Sequence, residues 1–235
     1  MTSEERRQAR YERRKAERER KAKPPITFDE TFTFENLWKS RCKCVKGVGW
    51  KASVQQYRNK SISNIARTYN QLHNGTFRSK GFYEFDIVER GKPRHILSIH
   101  ISERVVQRCL CDYALVPTVE PKLIYDNPAC IKGKGIDFSH KRLICHLKAY
   151  CKQNGGNDGY ALVSDFSKYF DSIPHELLIR KMRGVIADNR LMALLEQLIR
   201  DFPTDKGLGL GSQISQICAL YYPTELDLTM TRLGL

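Results

Sequence analysis

Apolar residues alternate between two periods along this chain. Ile62, Ile65, Ala66, Tyr69 and Leu72 recur at helical spacing and predict an amphipathic helix, stopped by Asn74-Gly75. Tyr83-Glu84-Phe85-Asp86-Ile87 alternates apolar and polar, and His95 to Ile99 reads as its return strand. Glu89-Arg90-Gly91-Lys92 supplies the turn, so 83–99 predicts a β-hairpin. Ser102 is positioned to N-cap a helix carrying Val105, Val106, Cys109, Leu110 and Tyr113. Leu143, Leu147 and Tyr150 mark another helix, closed by Asn154-Gly155-Gly156-Asn157. Tyr160 to Asp165 is an apolar run that predicts a strand. Pro174 then stands at the first position of a helix over His175–Met182. A helix over 187–201 carries Leu191, Leu194, Leu195 and Leu198 on one face. The Gly-rich turn Lys206 to Ser212 precedes a last apolar helix from near Gln213. There is no internal repeat, and the fold class is α/β in the broad sense, of the α+β kind.

Charge changes this picture most at the start. Residues 1–23 hold ten Lys/Arg and five Glu, with only Met1, Ala9, Tyr11, Ala16 and Ala22 apolar. Such a block has no face to bury, so it predicts a solvated helix or a disordered arm, ended by Pro24-Pro25. Over all 235 residues the net charge is +14, a surplus that favours a polyanionic partner, nucleic acid before anionic membrane. No stretch is long and apolar enough to span a bilayer, and the charged start does not read as a secretory leader. The expectation is a cytoplasmic protein whose eight cysteines are reduced thiols. Cys42-x-Cys44 and Cys109-x-Cys111 lack the spacing of zinc ribbons.

Two segments carry candidate chemistry. In Ala161-Leu162-Val163-Ser164-Asp165-Phe166, an apolar run ends in a carboxylate, and Phe170-Asp171 follows. Phosphoryl transfer to a 3′-hydroxyl uses two divalent cations, and hard cations prefer carboxylate and carbonyl oxygens. Asp165 fits as a metal ligand and Phe166 could lend its carbonyl; a plain strand-to-helix turn with capping aspartates fits the same residues. In the second segment, Gly207, Gly209 and Gly211 alternate ahead of a helix, where backbone can approach a phosphate closely. It is neither a Walker A loop nor a dinucleotide fingerprint, and a flexible connection fits it equally.

Taken in order, four blocks resemble the reverse transcriptase family, the bacterial and phage branch related to group II intron, retron and diversity-generating retroelement enzymes. Lys92 to Ile99 followed by Glu103-Arg104-Val105-Val106-Gln107 is similar to the basic fingers hairpin and its helix, with Glu103 in place of the usual Asp. Asp126 to Asp137 is similar to the second fingers block, Asp165 to His175 to the palm block, and Gly207 to Gln216 to the family's glycine turn. The match covers about residues 60 to 227. It implies a right-hand polymerase architecture: fingers over 24–158 and an incomplete palm over 159–235, with the thumb absent.

The resemblance implies roles residue by residue. Asp165 is the catalytic, magnesium-binding aspartate, with Phe166 beside it, in a site that takes two Mg2+ in the complete enzyme. Lys92, Arg94, Phe170, Gly211 and Gln213 meet the incoming nucleotide, Phe170 excluding a 2′-hydroxyl. Lys132, Lys134 and Arg104 meet nucleic acid. The implied partners are an RNA template, a DNA primer and dNTPs, with no membrane.

Two departures qualify it. Gly209 stands where the family has proline, and Leu210 where many members have glutamine, which implies altered fidelity. No Asp-Asp pair follows the glycine turn, so the expectation is that this chain alone does not polymerise, through truncation or an interrupted frame. A second reading is a non-catalytic, maturase-like RNA-binding remnant. A third is an unrelated basic domain, the only reading left by a structure without a palm sheet that carries Asp165 on a central strand.

Overall fold

The computed structural model describes residues 24–89 and 91–233, so the charged arm at 1–23 lies outside the described residues. Its class is α+β, mostly helix with one small sheet.

The helices begin where the sequence offers caps. α1 (Phe28–Thr31) opens with a reciprocal Thr27–Glu30 capping box, and α2 (Phe34–Val45) with the Thr33 side chain. α3 (Ala52–Asn59) and α4 (Ser61–His73) meet at Lys60, and α4 ends at Asn74-Gly75 as its sequence predicts. The buried face of α4 is Ser61, Ile65, Thr68 and Leu72; Ile62 is 69% exposed, a correction to the expected apolar stripe. The stripe turns because Thr68 satisfies its hydroxyl on the Asn64 carbonyl at 2.9 Å and can therefore be buried.

β1 (Phe82–Glu89) and β2 (Lys92–Ile99) pair antiparallel from Phe82↔Ile99 to Glu89↔Lys92, with Gly91 at φ +76° in the connection. The hairpin is exposed over most of its length and is buried only at its base, at Ile99. There Phe82 stacks on Phe202 with ring centroids 5.1 Å apart.

α5 (Ile101–Leu110) is capped by His100, not by Ser102: the His100 ring accepts the Ser102 N–H at 3.2 Å. The helix widens to a π-turn at Cys111–Leu115 before α6 (Val116–Val119). Pro117 explains the widening, since a proline ring crowds the carbonyl four residues back, here that of Tyr113. Glu120–Lys122 is a single 3-10 turn.

α7 (Ile136–Asn154) ends on Gly155 at φ +69°, as predicted, yet buries none of its residues. α8 (Tyr169–Ser172), α9 (His175–Arg183) and α10 (Asn189–Arg200) follow; Pro174 is the N-cap of α9, one place before its expected position. Asp188 caps α10 and also accepts the Phe28 N–H at 2.9 Å, tying α1 to it. α11 (Gln213–Tyr221) is capped by Ser212, and α12 (Thr224–Leu233) closes the described chain.

The main hydrophobic core draws on both ends of the sequence: Leu37, Ile65, Val106 and Leu110 join Ile173, Leu195, Ile199 and Ile214 in it. Leu191, Leu194, Leu195 and Leu198 face it as predicted. They do not lie beneath a palm sheet, because the described residues hold no strand but β1 and β2.

Candidate nucleotide and nucleic-acid junction

The Gly-rich segment is pinned on both sides. The Leu208 N–H donates to the Phe170 carbonyl and the Gly207 N–H to the Ile173 carbonyl, each at 2.8 Å. Pro174 bridges Lys206, and the His175 N–H donates to the Asp205 carbonyl at 3.0 Å. Buried His175 places Nε2 at 2.6 Å from the Gly207 carbonyl; a carbonyl only accepts, so Nε2 carries the proton. On the other side Leu210 bridges Ile96 of β2 in the parallel sense. Ser212 donates to buried Gln107 of α5 at 2.9 Å and accepts the Ser215 N–H. Three of the four sequence blocks therefore meet: the hairpin with its helix, the Asp165–His175 block, and the glycine turn.

The glycines are required by this seam. Gly207 has φ +87°, and a Cβ there would lie 3.0 Å from the Asp171 carbonyl oxygen. A Cβ at Gly209 would lie 2.7 Å from both Leu97 Cδ1 and Phe202 Cε1. A proline at position 209, which the resembling reverse transcriptases carry, would bring the same Cβ into this contact.

The site residues expected from the sequence fall into three groups. At the junction stand Phe170, Gly211 and Gln213. Phe170 is half-buried, its ring edge-on to Tyr169 at 5.9 Å. Gly211 has φ +99° beside Ile96, and a Cβ there would lie 3.4 Å from Ile96 Cγ2. Gln213 donates to Asp112 Oδ1 at 3.3 Å. The other Asp112 oxygen takes Lys43 and Arg108, each at 2.8 Å. Burial works to raise the Asp112 pKa, but these two cations outweigh it and hold the carboxyl below its usual range. Sequence reasoning missed Asp112 and His175 as anchors. The signal for Asp112 was its place four residues after Arg108 on one helix face.

The hairpin cations form the second group. Lys92 is exposed at the start of β2, and Arg94 pairs with Glu89 at 2.9 Å. Lys92 is four residues up the strand from Ile96, about 13 Å. Arg104 reaches Ser98 Oγ at 3.4 Å, bracing the hairpin base.

The third group stands apart from the seam. Lys132 is exposed, whereas Lys134 bonds the Tyr125 carbonyl and lies 4.6 Å over the Tyr125 ring, so its charge is engaged within its own block. Asp165 is exposed on an unpaired stretch, and Phe166 stacks on Tyr169 at 5.4 Å. The strand expected over 160–165 is corrected: these residues form no strand, and Tyr160, Leu162 and Val163 are 107, 81 and 90% exposed. A strand forms only beside another that completes its hydrogen bonds, and the described residues place none there.

No protein-family model and no curated protein matches this chain.

Among the described residues no three His, Cys, Asp or Glu side chains gather as a metal set. No step is routed through a metal ion at Asp165. No described helix is long and apolar enough to cross a membrane.

Proposed function

We propose that this chain is the fingers and incomplete palm of an RNA-directed DNA polymerase, and that alone it binds template and primer RNA or DNA without extending them. One observation carries the reading. Blocks far apart in sequence, each resembling part of the family's pattern, close on one another through backbone contacts at Phe170–Leu208, Ile173–Gly207 and Ile96–Leu210. The exposed Lys92 and Arg94 on a projecting hairpin and the net charge of +14 agree with a polyanionic partner.

A specific observation weighs against that reading and favours the second and third, a non-catalytic RNA binder or an unrelated basic domain: among the described residues no palm sheet carries Asp165. Asp165 stands on an exposed, unpaired segment. The polymerase fragment and the RNA binder both predict binding without extension, and they separate on whether Asp165 binds magnesium: the purified chain and Asp165→Ala are titrated with magnesium and with a labelled primer-template at several salt concentrations, then supplied with dNTPs. The expected result is binding that weakens steeply with salt, and no extension. Extension abolished by Asp165→Ala would replace it with an active polymerase. Absence of binding at low salt would overturn both readings and leave the unrelated basic domain.

A further inference from the structure

A polar cleft of about 340 Å³ opens at the base of the hairpin, away from the glycine seam. One wall is a stripe on two consecutive helices: Gln56 on α3, Lys60 at the joint, then Asn64, Arg67 and Gln71 on α4. Their steps of four, four, three and four residues put them on one face. The facing wall is Lys80, just before β1, and His100, just after β2. Lys80 Nζ and His100 Nδ1 are 3.3 Å apart; burial and then the Lys80 charge push the His100 pKa down, so the imidazole is neutral. Arg78 also lines the cleft but spends its guanidinium on the carbonyls of Gly75 and Phe77.

The carboxylate in the cleft, Glu103, offsets part of the Lys80 charge and leaves those of Lys60 and Arg67. Glu103 is buried, accepts from Ser79 Oγ at 3.1 Å and bonds the Lys80 N–H, and so fixes the backbone that carries Lys80. Among the described residues no carboxylate pairs with Lys60 or Arg67. Three ammonium or guanidinium groups thus converge with primary amides that both donate and accept.

From this arrangement we propose that the cleft holds the backbone of a single RNA strand, a phosphate between Lys60, Arg67 and Lys80, with Gln56 and Gln71 reaching the 2′-hydroxyl. The cations answer the phosphate and the amides answer a group that is donor and acceptor at once. The cleft is too small to admit a duplex. The inference rests on the reading that the chain binds RNA, and it names a different surface from the seam.

The test is fluorescence anisotropy with a short unstructured RNA across a salt series, using the full chain. The Lys60→Gln/Arg67→Gln variant is compared with Lys148→Gln/Lys152→Gln, which removes the same charge from exposed α7. Losing the one phosphate these cations hold should reduce the salt slope of log K by about 0.7, with the α7 variant unchanged. Gln56→Ala/Gln71→Ala should erase a preference for RNA over DNA of the same sequence. Equal slopes in the two charge variants would overturn the cleft while leaving the proposed function intact; no RNA binding by the unaltered chain would overturn both. Equal affinity for duplex DNA, or displacement by millimolar inorganic phosphate, would also overturn it. Photo-crosslinking of thiouridine RNA to the unaltered chain needs no variant to fold: crosslinks within 53–80 or 100–103 support the cleft, and crosslinks only elsewhere, the hairpin included, refute it.

Discussion

At Gly207 a side chain would meet backbone, whereas at Gly209 it would meet side chains. An alanine at Gly207 faces both a left-handed φ of +87° and the Asp171 carbonyl, which cannot move without breaking the seam. Gly207→Ala should cost about 2–4 kcal/mol. Gly209→Ala, which Leu97 and Phe202 can partly yield to, should cost about 1–2 kcal/mol. Urea denaturation of the two variants checks the order. The cysteines give a second residue-scale expectation. Burial pushes the Cys109 and Cys218 thiols up to about 12 and Cys111 well above its usual value, while Cys42, Cys130 and Cys145 are exposed. A thiol reagent added to the folded chain should consume the exposed three quickly and the buried three only on unfolding.

At the scale of elements, the hairpin base is built around two carboxyls that share one hydroxyl. Ser79 donates to Glu103 and also faces Asp201, whose Oδ2 is buried without a partner. A single hydroxyl proton cannot serve both. Burial raises both carboxyl pKa values, with a smaller lowering from Ser79. Between the ordinary carboxylate value and the raised one, the folded chain holds more protons than the unfolded chain, so stability falls as pH rises through that window. Asp112 and Asp188 work the other way. Burial raises them, but cations or backbone N–H groups more than offset it, and their stabilisation is lost as pH falls below the ordinary range. Asp201→Asn should therefore raise the urea midpoint at about pH 7 and converge on the unaltered chain near pH 4. An unchanged difference across that range would show that Asp201 is not the group responsible.

Elements whose partners lie close in sequence were legible from the chain alone. The hairpin, the helix after Ser212 and the leucine face of α10 all formed where pattern and caps placed them. The failures have one physical origin, that pattern records what a segment wants to bury and not whether a partner is there. Tyr160 to Asp165 reads as a strand and stays unpaired; α7 reads as amphipathic and buries nothing. The seam was legible as separate motifs, but its anchors at His175 and Asp112 depend on distant carbonyls and amides. The polar stripe Gln56–Gln71 was hidden because the same helix was read for its apolar face.

For the whole molecule, these uncovered segments set the solution behaviour. Leu143, Ile144 and Leu147 on α7, with Leu162 and Val163, leave large apolar side chains exposed. Exposed unpaired backbone beside them invites strand addition. Leu162→Lys/Val163→Thr should lower concentration-dependent self-association in sedimentation, without changing the helical content seen by circular dichroism. Unchanged association would place the sticky surface on α7 instead.

The bridge between Ile96 and Leu210 has a consequence in time as well as space. It joins points more than a hundred residues apart, and the loop-closure entropy for such a span is about 4 kcal/mol before any contact rewards it. On a ribosome the hairpin emerges long before the glycine turn exists, and it must wait with its base unsealed. Closure of the seam is then a late step of assembly, and a nascent chain halted short of Leu210 would display a hairpin held only at its base, by Glu103 and Arg104.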